Sequence, residues 1–232
     1  MNIEDRLDEV RQEYLQRMTR GDSHLLQEVE AHITARDGKM LRPRMTLLAA
    51  ASLGHEHLYS RHTLLAAVCV EMLHNTSLIH DDVIDQDLTR RGQPSVNARW
   101  GTGVAVLVGD YLMAQIMDLL NEIGDTAVTS RICNTVAAMT EAELLAQELL
   151  KQSSNQTIEQ YLQIIDGKTA RLFATACALG NPAYEEFGLH YGRLFQLRDD
   201  IADREDTPFT HRLLHEEETL LPTIKPALSI QI

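Results

Sequence analysis

The sequence has few residues of the types that break helices or build sheets. Its 232 residues include 12 glycines and 6 prolines, and aromatic residues make up 5% of the chain. So few chain breakers and aromatic side chains argue against a sandwich or barrel of many short strands. Hydrophobic residues make up 44%, enough for one domain with a sizeable core or at most two small ones. The composition therefore favours a mostly helical globular protein.

Basic residues are also scarce. The chain has 21 Lys and Arg against 34 Asp and Glu, a formal net charge of −13. Proteins that bind nucleic acid need a basic face for the phosphates, so we expect no nucleic-acid partner. The apolar runs fall short of the ~20 residues that span a membrane, and residues 1–15 are polar, without a signal-peptide pattern. We therefore expect a cytoplasmic protein that is not transmembrane.

The three cysteines, Cys69, Cys133 and Cys177, lie far apart in apolar or small-residue surroundings. An odd number at such spacing fits neither a disulfide framework nor a zinc site. We expect all three to be buried thiols.

Helical periodicity covers nearly the whole chain, without a strand pattern, a repeat or a low-complexity linker. Asp22 or Ser23 can cap the second helix. We expect a loop over 90–103, a break over 206–210 and a short irregular tail from Leu213. The fold class is therefore all-α, with one domain over 1–232. The clearest helices are predicted over 1–19, 40–53, 61–85, 104–123, 127–151, 157–179 and 183–203.

Two acidic clusters have the spacing Asp-Asp-x-x-Asp, each near the end of a helix. Acidic side chains there oppose the helix dipole, and like charges four residues apart repel by about 0.2–0.5 kcal/mol. Such carboxylates usually need a cation, and two facing clusters would form an oxygen-only site suited to Mg²⁺. A solvated acidic helix end is the alternative for each cluster alone. The residues are Asp81, Asp82 and Asp85 in the first cluster and Asp199, Asp200 and Asp203 in the second.

Local basic residues are informative in so acidic a chain. Lys39 and Arg42 lie three residues apart at a helix start, where free N–H groups and positive charge favour a diphosphate. Arg90 and Arg91 follow the first acid cluster closely enough to reach back over it. Both can equally be surface charges.

Other polar residues lie near the acid clusters at helical spacing. Lys168, followed by Thr169, lies in an otherwise apolar helix, where an unpaired charge would be costly. His74 is seven residues before Asp81, and Gln196 is three before Asp199. Lys168 can also extend to solvent, and His74 can be a core histidine. Beside two acid clusters, the functional interpretation is favoured.

The chain resembles the trans-isoprenyl diphosphate synthases, or polyprenyl synthetases. Six ordered segments between about residue 35 and residue 203 carry the resemblance, which makes it highly specific. It implies the all-α isoprenoid synthase bundle, with the acid clusters facing each other across a central cavity. The segments are GKMLRP (38–43), HNTSLIHDDVID (74–85), RRG (90–92), GDYL (109–112), GKTA (167–170) and FQLRDDIAD (195–203).

The resemblance also implies a reaction and roles. The six aspartates would bind Mg²⁺ that bridges to an allylic diphosphate, with Arg90 and Lys168 on the same side. Thr169 and Gln196 would line the reaction centre and steady a carbocation. The cation would add to isopentenyl diphosphate, and proton loss would give a trans-polyprenyl diphosphate. The isopentenyl diphosphate would be bound by Lys39, Arg42, His74 and Arg91.

Product length depends on the helix below the first acid cluster. Thr76 and Ser77, five and four residues before Asp81, are small where short-chain synthases often carry aromatic residues. We therefore expect an open tunnel and a product of C20 or longer. Its floor would come from the next helix, at Met113, Ala114 or Met117. Ordinary helix-packing residues are the less favoured interpretation of Thr76 and Ser77.

Two stretches depart from the family pattern. After Asp203 the chain lacks the family's Gly-Lys-containing loop, so we expect C-terminal helices to be missing or shortened after about residue 204. Ala142, in the stretch 141–143, replaces a family glycine. This leaves Gln147 as a candidate to support the metals.

The assembly is expected to be a homodimer, with a heteromer as the alternative. A second interpretation is a catalytically weak regulatory or partner subunit of a heteromeric synthase. A terpene cyclase is a third, but a cyclase has no use for an isopentenyl diphosphate site.

Overall fold

The computed structural model describes residues 2–36, 38–152, 157–203 and 210–224. Within these ranges the chain is mainly helical, with one small hairpin, so the predicted all-α fold is confirmed. The elements are α1 (Ile3–Met18), α2 (His24–Thr34), α3 (Leu41–Ala51), α4 (His55–Tyr59), α5 (Arg61–Ile84), β1 (Thr89–Arg90), β2 (Gln93–Pro94), α6 (Val96–Trp100), α7 (Thr102–Ile123), α8 (Thr126–Gln152), α9 (Ile158–Ile165), a π-helical turn (Asp166–Ala170), α10 (Arg171–Gly180), a 3-10 turn (Pro182–Tyr184), α11 (Glu185–Asp203) and α12 (Thr210–Ile224).

Side-chain caps explain where several helices begin. Asn2, Ser23 and Ser60 precede α1, α2 and α5, and each side-chain oxygen accepts a hydrogen bond from a first-turn N–H. Thr157 begins α9 with a capping box completed by Gln160. Each cap satisfies an N–H group that helix geometry leaves unpaired and contributes about 1 kcal/mol. Ser23, not Asp22, is therefore the cap of the second helix.

Three stretches differ from the sequence prediction. The loop expected over 90–103 contains part of the hairpin and α6. The single helix expected over 157–179 is interrupted by the π-helical turn. The irregular tail expected from Leu213 is wrong as far as Ile224, because α12 continues to that residue and packs on α11. The predicted break over 206–210 lies almost wholly in 204–209 which, like 225–232, is outside the described residues.

Backbone contacts divide the chain into two compact units, which are described separately. The first unit comprises Met1–Leu47 and Tyr59–Asp125, and the second comprises Leu48–Leu58 and Thr126–Ile232. The expectation of a single domain stays a prediction.

Helix α5 is the centre of the first unit, where α1 and α7 pack against it. Val68 and Met72 of α5 and Leu112 and Leu119 of α7 have no exposed surface. Fully burying a side chain of this kind contributes about 1.5–3 kcal/mol. The buried apolar residues of α5 therefore fix the position of this helix within the first unit, and with it the acid cluster at the helix end.

The second unit is built around α11, which at two of its glycines closely approaches α10 and the π-helical turn that precedes α10. A Cβ atom added at Gly188 would lie 2.6 Å from the carbonyl oxygen of Phe173, and one at Gly192 would lie 2.5 Å from Cα of Ala170. Real Cβ atoms do not approach other atoms this closely. The two backbones can therefore meet only because both positions are glycine.

Helix α12 is joined to the rest of the second unit by charged and apolar contacts. Arg193 of α11 donates to both carboxylate oxygens of Asp166, at 2.5 and 2.7 Å, and to Glu217 of α12 at 3.3 Å. His190 Nδ1 lies 2.6 Å from Glu217. These contacts link α12 to the π-helical turn. A buried apolar cluster adds to them and contains Tyr161, Ile165, Leu197 and Leu213.

Helix α7 is long and apolar enough to cross a membrane when only length and composition are considered. The expectation that no segment reaches this limit was wrong. However, α7 packs against α5, with Ala105, Val108 and Leu112 among its buried residues. A core helix of a soluble protein passes the same test, so α7 is not a clear membrane span.

The cysteines also differ from the prediction in one position. Cys69 and Cys177 are buried, as expected, and burial raises the pKa of each thiol to about 12. Cys133, on α8, is exposed instead. It lies on the outer side of an amphipathic helix, which its small neighbours in the sequence did not reveal.

Candidate active site

The first acid cluster occupies the end of α5. Asp85 caps the helix, and its backbone N–H donates to the carbonyl of Asp81 over 2.8 Å. Asp81 is half-buried and Asp85 is exposed. Residues four apart share a helix face, so these two carboxylates can bind a common cation.

The middle residue of this cluster, Asp82, is buried and bonded to Arg90. Nε of Arg90 donates to Asp82 over 2.7 Å, and an Nη group donates to Asp87 over 2.8 Å. Burial raises the pKa of Asp82, although the Arg90 bond opposes this effect. Burial lowers the pKa of Arg90, but the two carboxylates raise it by more in total. Arg90 therefore lies against the first acid cluster and stays charged.

Arg90 and Arg91 belong to a tight hairpin. Arg90 of β1 pairs with Gln93 of β2, so Arg91 and Gly92 form a two-residue turn. Both turn residues have positive φ, +51° and +75°, as a type I′ turn requires. The RRG segment is thus a turn that presents two guanidinium groups at one end of the hairpin.

Two side chains that sequence reasoning missed fasten this hairpin to the end of α5. Asn97 Nδ2 donates to the backbone carbonyls of Asp82 and Asp87, over 3.0 and 3.1 Å. Ser95 Oγ donates to the same Asp87 carbonyl over 2.6 Å. Ser95 and Asn97 lie in the stretch predicted to be loop, where no motif distinguished them.

An electropositive region surrounds His74 in the first unit. The pKa of His74 lies well below its ordinary range, first because of burial and then because of Arg42, Arg91 and Arg90. His74 is therefore neutral near pH 7. Lys39, which was predicted to bind the same diphosphate as Arg42, His74 and Arg91, is exposed.

Glu71 is a buried carboxylate beside this region that sequence reasoning missed. It is 3% exposed, and Asn75 Nδ2 lies 3.2 Å from its Oε1. Burial raises its pKa, whereas the nearby arginines lower it. A Cβ atom added at Gly38 would lie 3.2 Å from Oε1 of Glu71 and 3.1 Å from Nη2 of Arg91. The glycine of the GKMLRP segment thus leaves room for both groups. The sequence signal that could have identified Glu71 is an acidic residue within the otherwise apolar stretch that forms α5.

In the second unit a chain of hydrogen bonds runs from Thr169 to Tyr161. Thr169 Oγ1 donates to Oε1 of Gln196, and Gln196 Nε2 donates to Oδ1 of Asp200, both over 2.7 Å. The Tyr161 hydroxyl donates to Oδ2 of Asp200. Burial raises the pKa of Tyr161, and this bond raises it further. Both oxygens of Asp200 therefore accept hydrogen bonds within the protein.

The outer residues of the second acid cluster are more exposed than the middle one. Asp199 and Asp203 are exposed and lie one turn apart, whereas Asp200 is 8% exposed. The first cluster has the same arrangement, with its middle residue buried. In both clusters the middle carboxylate accepts hydrogen bonds from protein side chains, and the outer two aspartates lie on a more accessible helix face.

The donor groups can be compared with the needs of Mg²⁺. The described residues contain no group of three or more His, Cys, Asp or Glu side chains placed to hold a metal together. Each acid cluster does supply an outer pair of carboxylates. Mg²⁺ is commonly held by one or two carboxylates together with waters and substrate phosphates. The donor set therefore fits Mg²⁺ bound jointly with a phosphate.

Lys168 lies in the π-helical turn, which packs directly on α8. A Cβ atom added at Gly167 would lie 2.3 Å from Cβ of Ala142, so Ala142 fits only because position 167 is glycine. Lys168 forms an ion pair with Glu143, and Gln147 donates to the other oxygen of Glu143 over 3.1 Å. π-helical turns are rare and are frequent at functional sites. Gln147 thus positions the partner of Lys168, and its support of a metal stays a prediction.

Thr76 and Ser77 both bond back to their own helix. Thr76 has no exposed surface and donates to the carbonyl of Met72 over 2.8 Å. Ser77 is half-buried and donates to the carbonyl of His74 over 2.9 Å. These bonds satisfy the hydroxyl groups, so the two residues present small, largely apolar surfaces to their neighbours.

The α7 residues expected to close the product tunnel differ in exposure. Met113 is half-buried, but Ala114 and Met117 are exposed, with 64% of Met117 accessible. The exposure of Ala114 and Met117 argues against a floor at those two positions.

The fold and these side chains define an all-α protein with two Asp-Asp-x-x-Asp clusters, each accompanied by basic residues. Residues 23–211 match the family described as polyprenyl synthetase, and the chain belongs to that family. It is 40% identical over 189 residues to the all-trans-nonaprenyl-diphosphate synthase (geranyl-diphosphate specific) of Rhodobacter capsulatus, covering 77% of this chain and 57% of that protein. It is 32% identical over 213 residues to heptaprenyl diphosphate synthase component 2 of Bacillus subtilis (strain 168), covering 87% and 59%.

A solved structure supports the same family. The polyprenyl synthase from Caulobacter crescentus CB15, complexed with calcium and isoprenyl diphosphate, superposes with a TM-score of 0.79 at 32% identity, covering 88% of this chain and 64% of that one. The predicted family and the isoprenoid synthase fold are thus confirmed. The chain spans less than two thirds of the length of each of these three proteins.

Proposed function

We propose that this protein is a trans-prenyltransferase that condenses isopentenyl diphosphate with an allylic diphosphate. The observation that carries the proposal is that two Asp-Asp-x-x-Asp clusters and a separate electropositive region around His74 occur together in a polyprenyl synthetase. The reaction needs two diphosphates held differently, because one must leave and the other must stay attached. The likeness to a nonaprenyl-diphosphate synthase supports this reaction class.

We assign the allylic diphosphate to the two acid clusters. Their outer aspartates are the proposed Mg²⁺ ligands, while Asp82 and Asp200 hold Arg90 and Gln196 in place. When bound, Mg²⁺ neutralises the negative charge that develops on the leaving diphosphate. Arg90 and Lys168 add positive charge toward the same group. This assignment requires the clusters of the two units to face each other across a cavity, which is part of the proposal.

The isopentenyl diphosphate is assigned to the region around His74. Arg42 and Arg91 supply forked charge-assisted donors, and Lys39 a further ammonium group, for the diphosphate oxygens. Neutral His74 donates a hydrogen bond without adding charge. Glu71 limits the net positive charge and helps to orient the arginines, so that this diphosphate is bound rather than activated to leave.

Thr169 and Gln196 are assigned to the carbocation. Their oxygen atoms carry partial negative charge and are held by the hydrogen-bond chain to Asp200, so they need no reorganisation when positive charge develops. The condensation ends with proton loss to the departed diphosphate, so the scheme requires no side chain as a base.

The product is proposed to be C20 or longer. Thr76 is small and fully buried directly below the first acid cluster, where a larger side chain would occupy space for the growing chain. The likeness to nonaprenyl and heptaprenyl synthases is in keeping with a long product.

The proposed assembly is a cytoplasmic homodimer. Leu107 and Met117 of α7 are 69% and 64% exposed and give a second copy an apolar surface. A second candidate, a partner subunit of a heteromeric synthase, is favoured by the likeness to a heptaprenyl synthase component. A terpene cyclase is a weaker third, because it would leave the region around His74 without a substrate.

Product analysis of the purified chain tests these alternatives. The chain is incubated with Mg²⁺, labelled isopentenyl diphosphate and geranyl or farnesyl diphosphate, with Asp81→Ala as the inactive control. Elongated diphosphates that depend on Asp81 are the expected result. Elongation only after a partner subunit is added would replace the proposal with the subunit function, and cyclic hydrocarbon from an allylic diphosphate alone would replace it with the cyclase.

A further inference from the structure

The hairpin that carries Arg90 and Arg91 is fastened to α2 by one histidine. His32 Nε2 lies 2.8 Å from the backbone carbonyl of Pro94, and the side chain of Gln93 donates to the backbone carbonyl of His32 over 3.0 Å. Gln93 and Pro94 make up the whole of β2. The strand that pairs with β1 is therefore bonded to α2 at both of its residues.

The other ring nitrogen of His32 is bonded to α6. Arg99 Nη1 lies 3.1 Å from His32 Nδ1, and the ring of Trp100 meets the imidazole edge-on with the centroids 5.0 Å apart. The Arg99 guanidinium lies 4.5 Å from the centroid of the Trp100 ring. Because a guanidinium can only donate, Nδ1 is the acceptor and Nε2 carries the proton that bonds to Pro94. We call His32, Gln93, Pro94, Arg99 and Trp100 the His32 clasp.

A cleft lies beneath part of the hairpin, between it and residues of α2 and α5. Over this stretch individual contacts, among them the Arg90–Asp82 bond and the His32 clasp, therefore help to hold the hairpin. Loss of the clasp would therefore let β2 shift, and β1 with the turn would move with it. Residues that line the cleft include His32, Asn75, Leu78, Asp82, Arg90 and Arg91.

We propose that His32 is a positioning residue for diphosphate binding, acting through the hairpin on Arg90 and Arg91 without touching substrate. The proposal rests on the proposed function, which assigns both arginines to diphosphates. It assigns a role to a residue outside all six sequence segments that indicated the family. It also predicts that diphosphate binding at the turn changes the surroundings of Trp100, which lies at the other end of the clasp.

Trp100 makes this testable because it is the only tryptophan in the chain. Its intrinsic fluorescence is recorded while inorganic pyrophosphate is added to the purified full chain without metal. The variants are His32→Ala, His32→Gln, whose amide can supply one donor and one acceptor, and Arg99→Met. His24→Ala, an exposed histidine on the same helix, is the matched control. Thermal unfolding confirms that each variant is folded.

The expected result is a saturable fluorescence change in the unmodified chain and in His24→Ala. In His32→Ala the apparent Kd should rise roughly five- to tenfold, because about 1–1.5 kcal/mol of hydrogen bonding is lost, and the amplitude should fall. His32→Gln should recover part of both effects, and Arg99→Met should reduce the amplitude. In turnover assays KM for the diphosphates should rise in His32→Ala, with kcat changed less.

Three results would overturn the proposal. If His32→Ala matches the unmodified chain in Kd and amplitude, the clasp does not position the arginines and the proposed function is unaffected. Should His32→Ala not fold, Arg99→Met takes its place in this comparison. A fall in kcat at unchanged KM would make His32 something other than a positioning residue for binding. If the unmodified chain does not bind pyrophosphate without metal, the assignment of isopentenyl diphosphate to the region around His74 fails together with this one.

Discussion

The hydroxyl of Tyr161 donates to the buried carboxylate of Asp200, so a residue 39 positions earlier in the chain holds the middle of the second acid cluster. Tyr161→Phe leaves that oxygen without its donor, which should cost about 1–3 kcal/mol of stability. The hydrogen-bond chain to Thr169 should also loosen, and kcat should fall more than KM rises. Urea unfolding and steady-state kinetics measure both effects. Tyr191→Phe, which keeps the ring contact with Phe173, is the control and should change neither.

The outer and middle residues of the first acid cluster should respond differently to amide substitution. Asp81→Asn removes a proposed metal ligand, so the Mg²⁺ concentration for half-maximal activity should rise at least about tenfold with little change in stability. Asp82→Asn removes the charge of one of the two carboxylates bonded to half-buried Arg90 and should destabilise the protein by about 1–3 kcal/mol. Metal titration of turnover and thermal unfolding separate the two. Equal metal dependence in both variants would contradict the different roles.

Gly167→Ala should damage the π-helical turn that carries Lys168. The added Cβ would lie 2.3 Å from Cβ of Ala142 and 2.8 Å from the carbonyl oxygen of Ala138. Overpacking of this kind costs about 1–3 kcal/mol, measurable by urea unfolding. Gly103→Ala, where nothing lies within 4 Å of an added Cβ, is the matched control. Adding Ala142→Gly should restore part of the stability lost, because one of the two clashes is then removed.

Acidification should destabilise the protein through His74. Its pKa lies below the ordinary value of 6.5 in the folded state, so the unfolded state binds more protons between these two values. Stability should therefore be lost as the pH falls below about 6.5, by at most about 1.4 kcal/mol per pH unit from this group. Urea midpoints at pH 7.5 and 5.5 measure the loss. His74→Gln should reduce the loss.

Thr76→Phe should shorten the product. The side chain is fully buried below the first acid cluster, so an aromatic ring there would occupy the proposed tunnel. Thr76→Val, of almost the same volume, is the control for the lost hydroxyl and should give the chain length of the unmodified protein. Chromatography of the dephosphorylated products reads the length. An unchanged length in Thr76→Phe would refute the tunnel assignment.

The features that sequence analysis predicted correctly depend on local patterns. The apolar stretch that becomes α5 and the Ser23 cap follow from helix periodicity and capping preference, which neighbouring residues determine. The placement of Arg90 beside Asp82 could also be expected, because the two residues are only eight positions apart in the sequence. Such contacts are predictable since short loops allow few conformations.

The missed features depend on residues distant in the chain. The Tyr161 hydroxyl reaches Asp200, and Arg91 comes near enough to Glu71 to lower its pKa, only after the chain has folded. The π-helical turn at Gly167 lies in close contact with Ala142, 25 positions earlier in the chain, and no local propensity encodes such a contact. Likewise, α12 is a helix because Leu213 and Glu217 have partners on other helices, so composition alone made it resemble an irregular tail.

The exposure of Cys133 gives the chain a practical property. The other two thiols are buried, with pKa values of about 12, so a maleimide dye should attach at one position without any substitution. That position belongs to the second unit, whereas the single tryptophan, Trp100, belongs to the first. With an energy-transfer acceptor on Cys133 and Trp100 as the donor, the transfer efficiency would depend on the distance between the two units. A change in that efficiency would report whether the distance changes when diphosphates and Mg²⁺ are added.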